Sequence, residues 1–205
     1  MRLIKVLLLT FLFIFTALPA MADTYKILAF GDSLTAGYGL SQDKAFPVLL
    51  EQNLKADGYD VAVINAGVSG ETTSGGLSRL DWTLQHEPDL VLLGLGANDA
   101  LRKISPDLAK ENLSKMIEKL QAKDIDVLLL GMYAPPNFGA EYGDQFNAIF
   151  PALTEEYDVK LYPFLLEGVA ADRSLNQDDG LHPNEKGARI IADNLKPHVI
   201  PFLKD

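Results

Sequence analysis

The sequence predicts an α/β fold, a three-layer α/β/α sandwich built around a five-stranded parallel sheet. Short apolar segments recur along the chain from Lys26 to its end, and segments with a helical spacing of apolar residues lie between them. Most of the short segments contain almost no polar residue, which is typical of parallel strands that are buried on both faces. Strands that alternate with helices in this way form one doubly wound domain.

The strands are predicted from the short apolar segments. The fifth segment is less apolar than the others and is the weakest of the five. In chain order they are residues 27–30, 61–64, 90–95, 127–130 and 160–162.

Helices are predicted where apolar residues follow the spacing i, i+3, i+4 and i+7, which places them on one helical face. Ser105 and Pro106 supply an N-cap and a first-turn proline to the first of these helices. The apolar positions are 113, 116, 117 and 120 in that helix, 146, 149, 150 and 153 in the next, and 190, 191, 195 and 199 in a closing helix.

The amino-terminal segment has the pattern of a secretory signal peptide. Arg2 and Lys5 make its start positive, an apolar run covers residues 6–18, and Ala20 and Ala22 form a small-residue cleavage pattern. The alternative is a membrane anchor, but the run is shorter than the ~20 apolar residues that a spanning helix needs. The chain contains no cysteine, which excludes lipid attachment through a cysteine.

Cleavage of this Sec-type signal after Ala22 would remove residues 1–22 and leave residues 23–205 as a single domain. We therefore expect a periplasmic or secreted protein that has no stable membrane anchor once the signal is removed. The removed segment carries two basic residues and no acidic residue, so the net charge changes from −10 to about −12. A strongly acidic domain argues against nucleic acid as a partner. The sequence makes no prediction of the oligomeric state.

Candidate functional residues follow the predicted strands. Ser33 follows the first strand, Gly67 the second and Asn98 the third, and residues 179–182 follow the fifth strand region. Ligands of doubly wound sheets bind beyond the carboxyl ends of the strands, so we expect these residues to share one site.

Ser33 is the candidate nucleophile and lies in the segment Gly31-Asp32-Ser33-Leu34. Gly-Asp-Ser is also a common turn sequence, so the motif alone is compatible with a plain turn. A helix that begins soon after Ser33 would direct free backbone N–H groups toward the region of its hydroxyl. Such donors suit a nucleophile that develops an oxyanion beside it.

A nucleophilic serine needs a base, and the chain has three histidines. His86 precedes a predicted strand at the end of a polar helix, and His198 lies in the closing helix, so both are expected to be surface or packing residues. His182 lies in a loop of turn-forming residues. Asp179, three positions earlier, can accept the Nδ1–H of His182 and so leave its Nε2 free for proton transfer.

Two residues are candidates for binding the oxyanion of a tetrahedral intermediate. Gly67 can offer a backbone N–H at close range because it has no Cβ, and Asn98 can offer its side-chain amide. Each also has a structural alternative, as a turn glycine or a turn asparagine.

Together, the segments 31–34, 67, 96–99 and 179–182 resemble the four signature blocks of the SGNH/GDSL hydrolase family. The resemblance extends from Lys26 to about Pro201. It is greatest to small bacterial periplasmic arylesterases that also act as acyl-CoA thioesterases and lysophospholipases. The stretches Asn65-Ala66-Gly67-Val68-Ser69-Gly70 and Pro135-Pro136-Asn137 are part of it.

The resemblance implies a flavodoxin-like sandwich that needs no cofactor and hydrolyses esters and thioesters of small substrates. It implies that Ser33 is the nucleophile, His182 the base and Asp179 the residue that orients the base. It also implies an oxyanion hole made of the Ser33 and Gly67 N–H groups and the Asn98 side chain.

Several other functions are less compatible with the sequence. No serine has the G-x-S-x-G spacing of α/β-hydrolases, and the segment Gly94-Leu95-Gly96 lacks the third glycine of a dinucleotide-binding motif. Three dispersed histidines without cysteines argue against a zinc site. Two alternatives remain, a carbohydrate O-acetylesterase and a periplasmic module that binds a small ligand without turnover. We expect loops 100–104 and 134–142 to line the pockets for the leaving group and the acyl group.

Overall fold

A computed structural model describes residues 24–203, and the predicted signal peptide at residues 1–22 lies outside them. The described residues contain a five-stranded sheet in the order β2-β1-β3-β4-β5, and every neighbouring pair is parallel. The predicted fold class and its flavodoxin-like strand order are therefore confirmed. The strands are β1 (Tyr25–Gly31), β2 (Val61–Gly67), β3 (Leu90–Gly94), β4 (Asp126–Leu130) and β5 (Lys160–Tyr162).

Helices cover both faces of this sheet. The first connection runs from β1 outward to β2, whereas the later connections run in the opposite direction, so right-handed crossovers place their helices on opposite faces. Accordingly α2 packs against α8, while α5 packs against α3 and α7. The helices are α1 (Ser33–Ala36), α2 (Phe46–Ala56), α3 (Thr73–Thr83), α4 (Ala97–Leu101), α5 (Pro106–Gln121), α6 (Ala140–Asn147), α7 (Ile149–Tyr157) and α8 (Glu185–Val199).

The core lies on both faces of the central strands. Four successive residues of β1, from Ile27 to Phe30, are fully buried, as their continuous apolar character predicts. The apolar face predicted for α5 is confirmed, because all four of its residues are completely buried. None of the helices within residues 24–203 has the length and apolar character needed to cross a membrane.

Two elements differ from the prediction by more than one or two residues at an end. The apolar positions 146, 149, 150 and 153 belong to two helices, α6 and α7, that meet at Ala148. Pro151 has no N–H to donate to the carbonyl of Asn147, which interrupts the continuous helix that their spacing predicts. The second strand is longer than predicted and ends at Gly67, which pairs with Gly31 at the end of β1.

The order of the strands reverses between β1 and β3, because their connections leave toward opposite faces. A crevice forms at such a point, beyond the carboxyl ends of the two strands. Ser33 follows β1 and Asn98 follows β3, so the fold places both beside this crevice.

Candidate active site

The hydroxyl of Ser33 lies next to the ring of His182. Their Oγ and Nε2 atoms are 2.9 Å apart, although the two residues are 149 positions apart in the chain. On the other side of the ring, Nδ1 lies 2.6 Å from Oδ2 of Asp179. The structure thus aligns the predicted carboxylate, imidazole and hydroxyl in the order in which a proton can be transferred.

The Asp179 carboxylate is held in its ionised form. Its Oδ1 accepts the backbone N–H groups of His182 (3.0 Å) and Leu181 (2.9 Å). These bonds and the contact with the His182 ring lower the pKa of Asp179 to about 2. A carboxylate can only accept hydrogen bonds, so Nδ1 of His182 carries the hydrogen that faces Asp179. In the neutral ring this tautomer leaves the lone pair of Nε2 directed at Ser33.

The loop that carries His182 is anchored to the segment after the nucleophile. The Gln177 side chain donates hydrogen bonds to the carbonyls of Tyr38 (2.7 Å) and Pro183 (2.9 Å), and the Gln177 backbone N–H donates to the carbonyl of His182 (2.8 Å). The ring of Tyr38 packs on the His182 ring with a centroid distance of 4.6 Å. These contacts limit the movement of the imidazole relative to Ser33.

The other two histidines lie away from this site, as predicted. His86 is exposed in a short 3₁₀ helix before β3. His198 is exposed on α8, where its ring packs on Tyr162 at the far edge of the sheet.

Asn98 faces the same cavity as Ser33. Its Nδ2 donates one hydrogen bond to Oδ2 of the buried Asp32 (3.2 Å). Among residues 24–203 its second amide hydrogen has no acceptor, and neither does the backbone N–H of Ser33. Both are available to a ligand atom beside Ser33.

Gly67 does not occupy the place that the sequence predicts. It is still part of β2, and its N–H donates to Oδ1 of Asn65 at 3.0 Å. A Cβ at this position would lie 2.2 Å from the nitrogen of Ala36, so the glycine allows the close packing of α1 on β2. The geometry therefore corrects the prediction that Gly67 supplies a donor to the site.

Gly70 lies where that donor was expected. It lines the cavity together with Ser33 and Asn98, and its N–H has no acceptor in the described part of the chain. Its φ of 80° is favourable only for glycine. The sequence analysis does not identify Gly70, because the predicted strand ends at residue 64 and β2 continues to Gly67. Segment 65–70 contains two glycines, and only the later one lies beyond the strand.

Glu71 and Arg79 connect the Gly70 loop to the strand that precedes Ser33. The two side chains form a largely buried ion pair, and Arg79 also donates to the carbonyl of Gly31 at 3.2 Å. The guanidinium lies 4.0 Å from the centre of the Phe30 ring. Sequence reasoning missed this pair, since two charged residues eight positions apart carry no signal of a contact with a third segment.

Two buried aspartates support the loops beside the site. Asp32 is 1% exposed and accepts the N–H of Leu34 at 3.0 Å. Asp99 is completely buried and accepts both the N–H (2.8 Å) and the hydroxyl (2.6 Å) of Thr73. Burial raises the pKa of both carboxyls above the ordinary value, for Asp32 to about 6.

The cavity beside Ser33 has a volume of about 360 Å³ and a mainly apolar wall. Both predicted loops contribute, through residues 100–101 and 134–136. Tyr142 does not line the cavity. It connects the two segments, because its hydroxyl donates to the carbonyl of Ile104 at 2.9 Å. The apolar wall includes Leu34, Leu101, Met132, Pro135, Phe164 and Leu166.

Within residues 24–203 no three His, Cys, Asp or Glu side chains are grouped so that they could hold a metal ion. The polar groups of the cavity are a hydroxyl, an imidazole, an amide and backbone N–H donors. This set suits nucleophilic attack on a carbonyl carbon next to an apolar group.

The chain is similar to known proteins over most of its length. A family model described as the GDSL-like lipase/acylhydrolase family matches residues 29–190. The chain is 42% identical to a protein named arylesterase from Vibrio mimicus, over 96% of this chain and 98% of that protein. It is 39% identical to thioesterase 1/protease 1/lysophospholipase L1 of Escherichia coli strain K12, over 94% of this chain and 91% of that protein. The crystal structure of TesA superposes with a TM-score of 0.83 at 38% identity, covering 87% of this chain and 99% of that one.

Proposed function

This chain belongs to the GDSL-like lipase/acylhydrolase family and is a serine ester hydrolase, and we propose that it acts through an acyl-enzyme intermediate on Ser33. The observation that carries the proposal is the alignment of Asp179, His182 and Ser33, with distances of 2.6 and 2.9 Å. A neutral His182 with its Nδ1 hydrogen held by Asp179 is ready to accept the Ser33 proton.

In the first half of the reaction, Nε2 of His182 takes the hydroxyl proton while Oγ of Ser33 forms a bond to the carbonyl carbon of the substrate. The carbonyl oxygen becomes an oxyanion. We assign its donors to the N–H of Ser33, the free N–H of the Asn98 amide and, in place of Gly67, the N–H of Gly70. His182 then gives its proton to the leaving alcohol or thiol, and the bond from the carbonyl carbon to that group breaks.

In the second half, a water molecule takes the place of the leaving group. The water oxygen attacks the acyl carbon while Nε2 of His182 accepts a proton from the water. The same donors hold the second oxyanion. Its collapse breaks the bond to Oγ, returns the proton to Ser33 and releases the carboxylic acid.

The substrates we propose are aryl esters, acyl-CoA thioesters and lysophospholipids. The relatives that cover almost all of the chain are named for arylesterase, thioesterase and lysophospholipase activities. The cavity supports the same choice, because an aryl ring or an acyl chain can be buried against its apolar wall. A carbohydrate O-acetylesterase would need a more polar wall, and a binding module would not need an aligned base and nucleophile.

We also propose that the protein is exported and acts in the periplasm or outside the cell. Support comes from residues 1–22, whose positive start, apolar run and small-residue pattern are those of a signal peptide cleaved after Ala22. Sequencing the amino terminus of the protein recovered from the periplasm and the medium tests this, with Asp23 as the expected first residue.

The substrate proposal is tested with p-nitrophenyl esters from acetyl to palmitoyl, an acyl-CoA and a lysophospholipid, with Ser33→Ala as the control. Hydrolysis of longer acyl esters and of the thioester, abolished in the variant, is the expected result. Activity confined to acetyl esters would favour the O-acetylesterase. A folded wild type that hydrolyses none of them would favour the binding module.

A further inference from the structure

The Asp32 side chain contacts two elements at once. Oδ1 accepts the N–H of Leu34 at 3.0 Å and caps α1, and Oδ2 accepts a hydrogen of the Asn98 amide at 3.2 Å. The residue is 1% exposed. Within residues 24–203 no lysine or arginine forms an ion pair with it.

Capping alone does not account for a carboxylate at this position. A serine, threonine or asparagine caps a helix about as well and does so without burying a charge. The charged groups that face Asp32 are Asp99, which disfavours its ionisation, and His182, which favours it when protonated. The feature that only a carboxylate provides is a second oxygen that can accept and never donate.

That property determines how the Asn98 amide is oriented. Facing an ionised Asp32, Asn98 must present its NH₂ group, since its own Oδ1 would meet another acceptor. The second hydrogen on the same nitrogen is then left for the cavity in which Ser33 lies. If the amide turned over, Oδ1 would take this place, and a lone pair would face the oxyanion position.

We propose that Asp32 is a positioning residue for ester hydrolysis, holding the Asn98 amide so that an N–H faces the oxyanion beside Ser33. The inference rests on the oxyanion role proposed above for Asn98. It adds that this role depends on a neighbour that does not touch the substrate.

The test is a double-mutant cycle of Asp32→Asn and Asn98→Ala, measured as kcat and KM for p-nitrophenyl acetate. In Asp32→Asn the side-chain oxygen can still cap α1, but the side-chain NH₂ then faces Asn98. This favours the orientation in which the Asn98 amide has turned over. We expect it to lower kcat by about 10²-fold with little change in KM. In the Asn98→Ala background the same substitution should lower kcat by less than about threefold, since the amide it positions is gone.

Two further variants separate positioning from capping. Asp32→Ser keeps the cap and removes the second oxygen, and it should give the same dependence on Asn98. Asp172 is the matched control, because it accepts the N–H of Ser174 at 2.8 Å in the same i to i+2 arrangement on an exposed loop. Asp172→Asn should keep kcat unchanged. Circular dichroism establishes that each variant is folded.

The outcomes are distinguishable. If kcat is normal in Asp32→Asn while Asn98→Ala is impaired, the positioning role is overturned and the oxyanion hole stands. If the two losses multiply in the double variant, Asp32 acts independently of Asn98 and the inference is also wrong. If Asn98→Ala itself keeps its kcat, the oxyanion role of Asn98 and the inference both fail.

Discussion

The Nδ1 atom of His182 lies 2.6 Å from Oδ2 of Asp179, and this carboxylate lies only three positions earlier, in the same loop between β5 and α8 and not on a distant strand. Its side chain is 39% exposed, so the pair is formed at the surface of the protein. Three hydrogen bonds from Leu181 and His182 hold the exposed carboxylate in a fixed orientation, aimed at the ring, and lower its pKa.

Replacement of Asp179 by asparagine should lower kcat by about 10³–10⁴-fold. An asparagine can donate to Nδ1 through its NH₂ group, which would place the imidazole hydrogen on Nε2, facing Ser33. Steady-state hydrolysis of p-nitrophenyl acetate measures the effect. A loss of less than tenfold would mean that the orientation of His182 does not depend on this carboxylate.

Removal of the Asn98 amide should mainly affect the chemical step. Asn98→Ala is expected to lower kcat by about 10²–10³-fold, because the amide N–H is engaged chiefly when the oxyanion forms. KM for the same ester should change little. A rise in KM at unchanged kcat would instead indicate that Asn98 binds the ground state of the substrate.

Gly67, at the end of β2, and Gly70, in the loop beyond it, should respond differently to alanine. In Gly67→Ala the new Cβ meets the backbone of Ala36, which cannot move aside, so the free energy of unfolding should fall by about 1–3 kcal/mol. In Gly70→Ala the nearest atom is the Arg102 side chain at 3.6 Å, so there is space, but the positive φ is strained and the N–H is expected to shift.

Urea denaturation and kcat together test this pair. Gly67→Ala should lose more stability than Gly70→Ala, and Gly70→Ala should have the lower kcat relative to its folded fraction. The opposite pattern would return the oxyanion role to Gly67.

The stability of the protein should depend on pH through Asp32. Burial raises its folded-state pKa to about 6 from an ordinary 3.8, so the folded state holds this proton more tightly than the unfolded state. This proton therefore adds about 3 kcal/mol to the free energy of unfolding below pH 3.8, and the contribution is lost as the pH rises through 6.

Asp32→Asn isolates that contribution, because the other titrating groups are common to both proteins. The variant should have a higher free energy of unfolding than the wild type at pH 7.5, and this difference should be smaller at pH 4. Urea denaturation at each pH measures it. An advantage that stays constant between these pH values would show that Asp32 titrates alike in the folded and unfolded chain.

The fold and most of the site could be predicted because their signals are local in the sequence. Continuous apolar runs identify buried parallel strands, and Asp179 and His182 lie close enough in one loop to be recognised as a pair. The flavodoxin-like strand order is implied by the family resemblance and not by any local pattern, and it is this order that places Ser33 beside Asn98.

The remaining features depend on contacts between separate segments. The end of β2 is set by pairing of Gly67 with Gly31, which the polar and small residues of that stretch do not reveal. For the same reason the sequence does not indicate that Tyr38 packs on His182 or that Asp32 holds Asn98. Pro151 indicates a break near Ala148, but the apolar spacing on either side of it predicts one continuous helix.

The central claim is that Ser33 is the residue that becomes acylated. A fluorophosphonate probe forms a stable adduct with an activated serine, and mass spectrometry of the digested protein locates that adduct. The account predicts a single adduct on Ser33, abolished in Ser33→Ala and greatly slowed in His182→Ala. An adduct on any other serine, or undiminished labelling of Ser33→Ala, would contradict it.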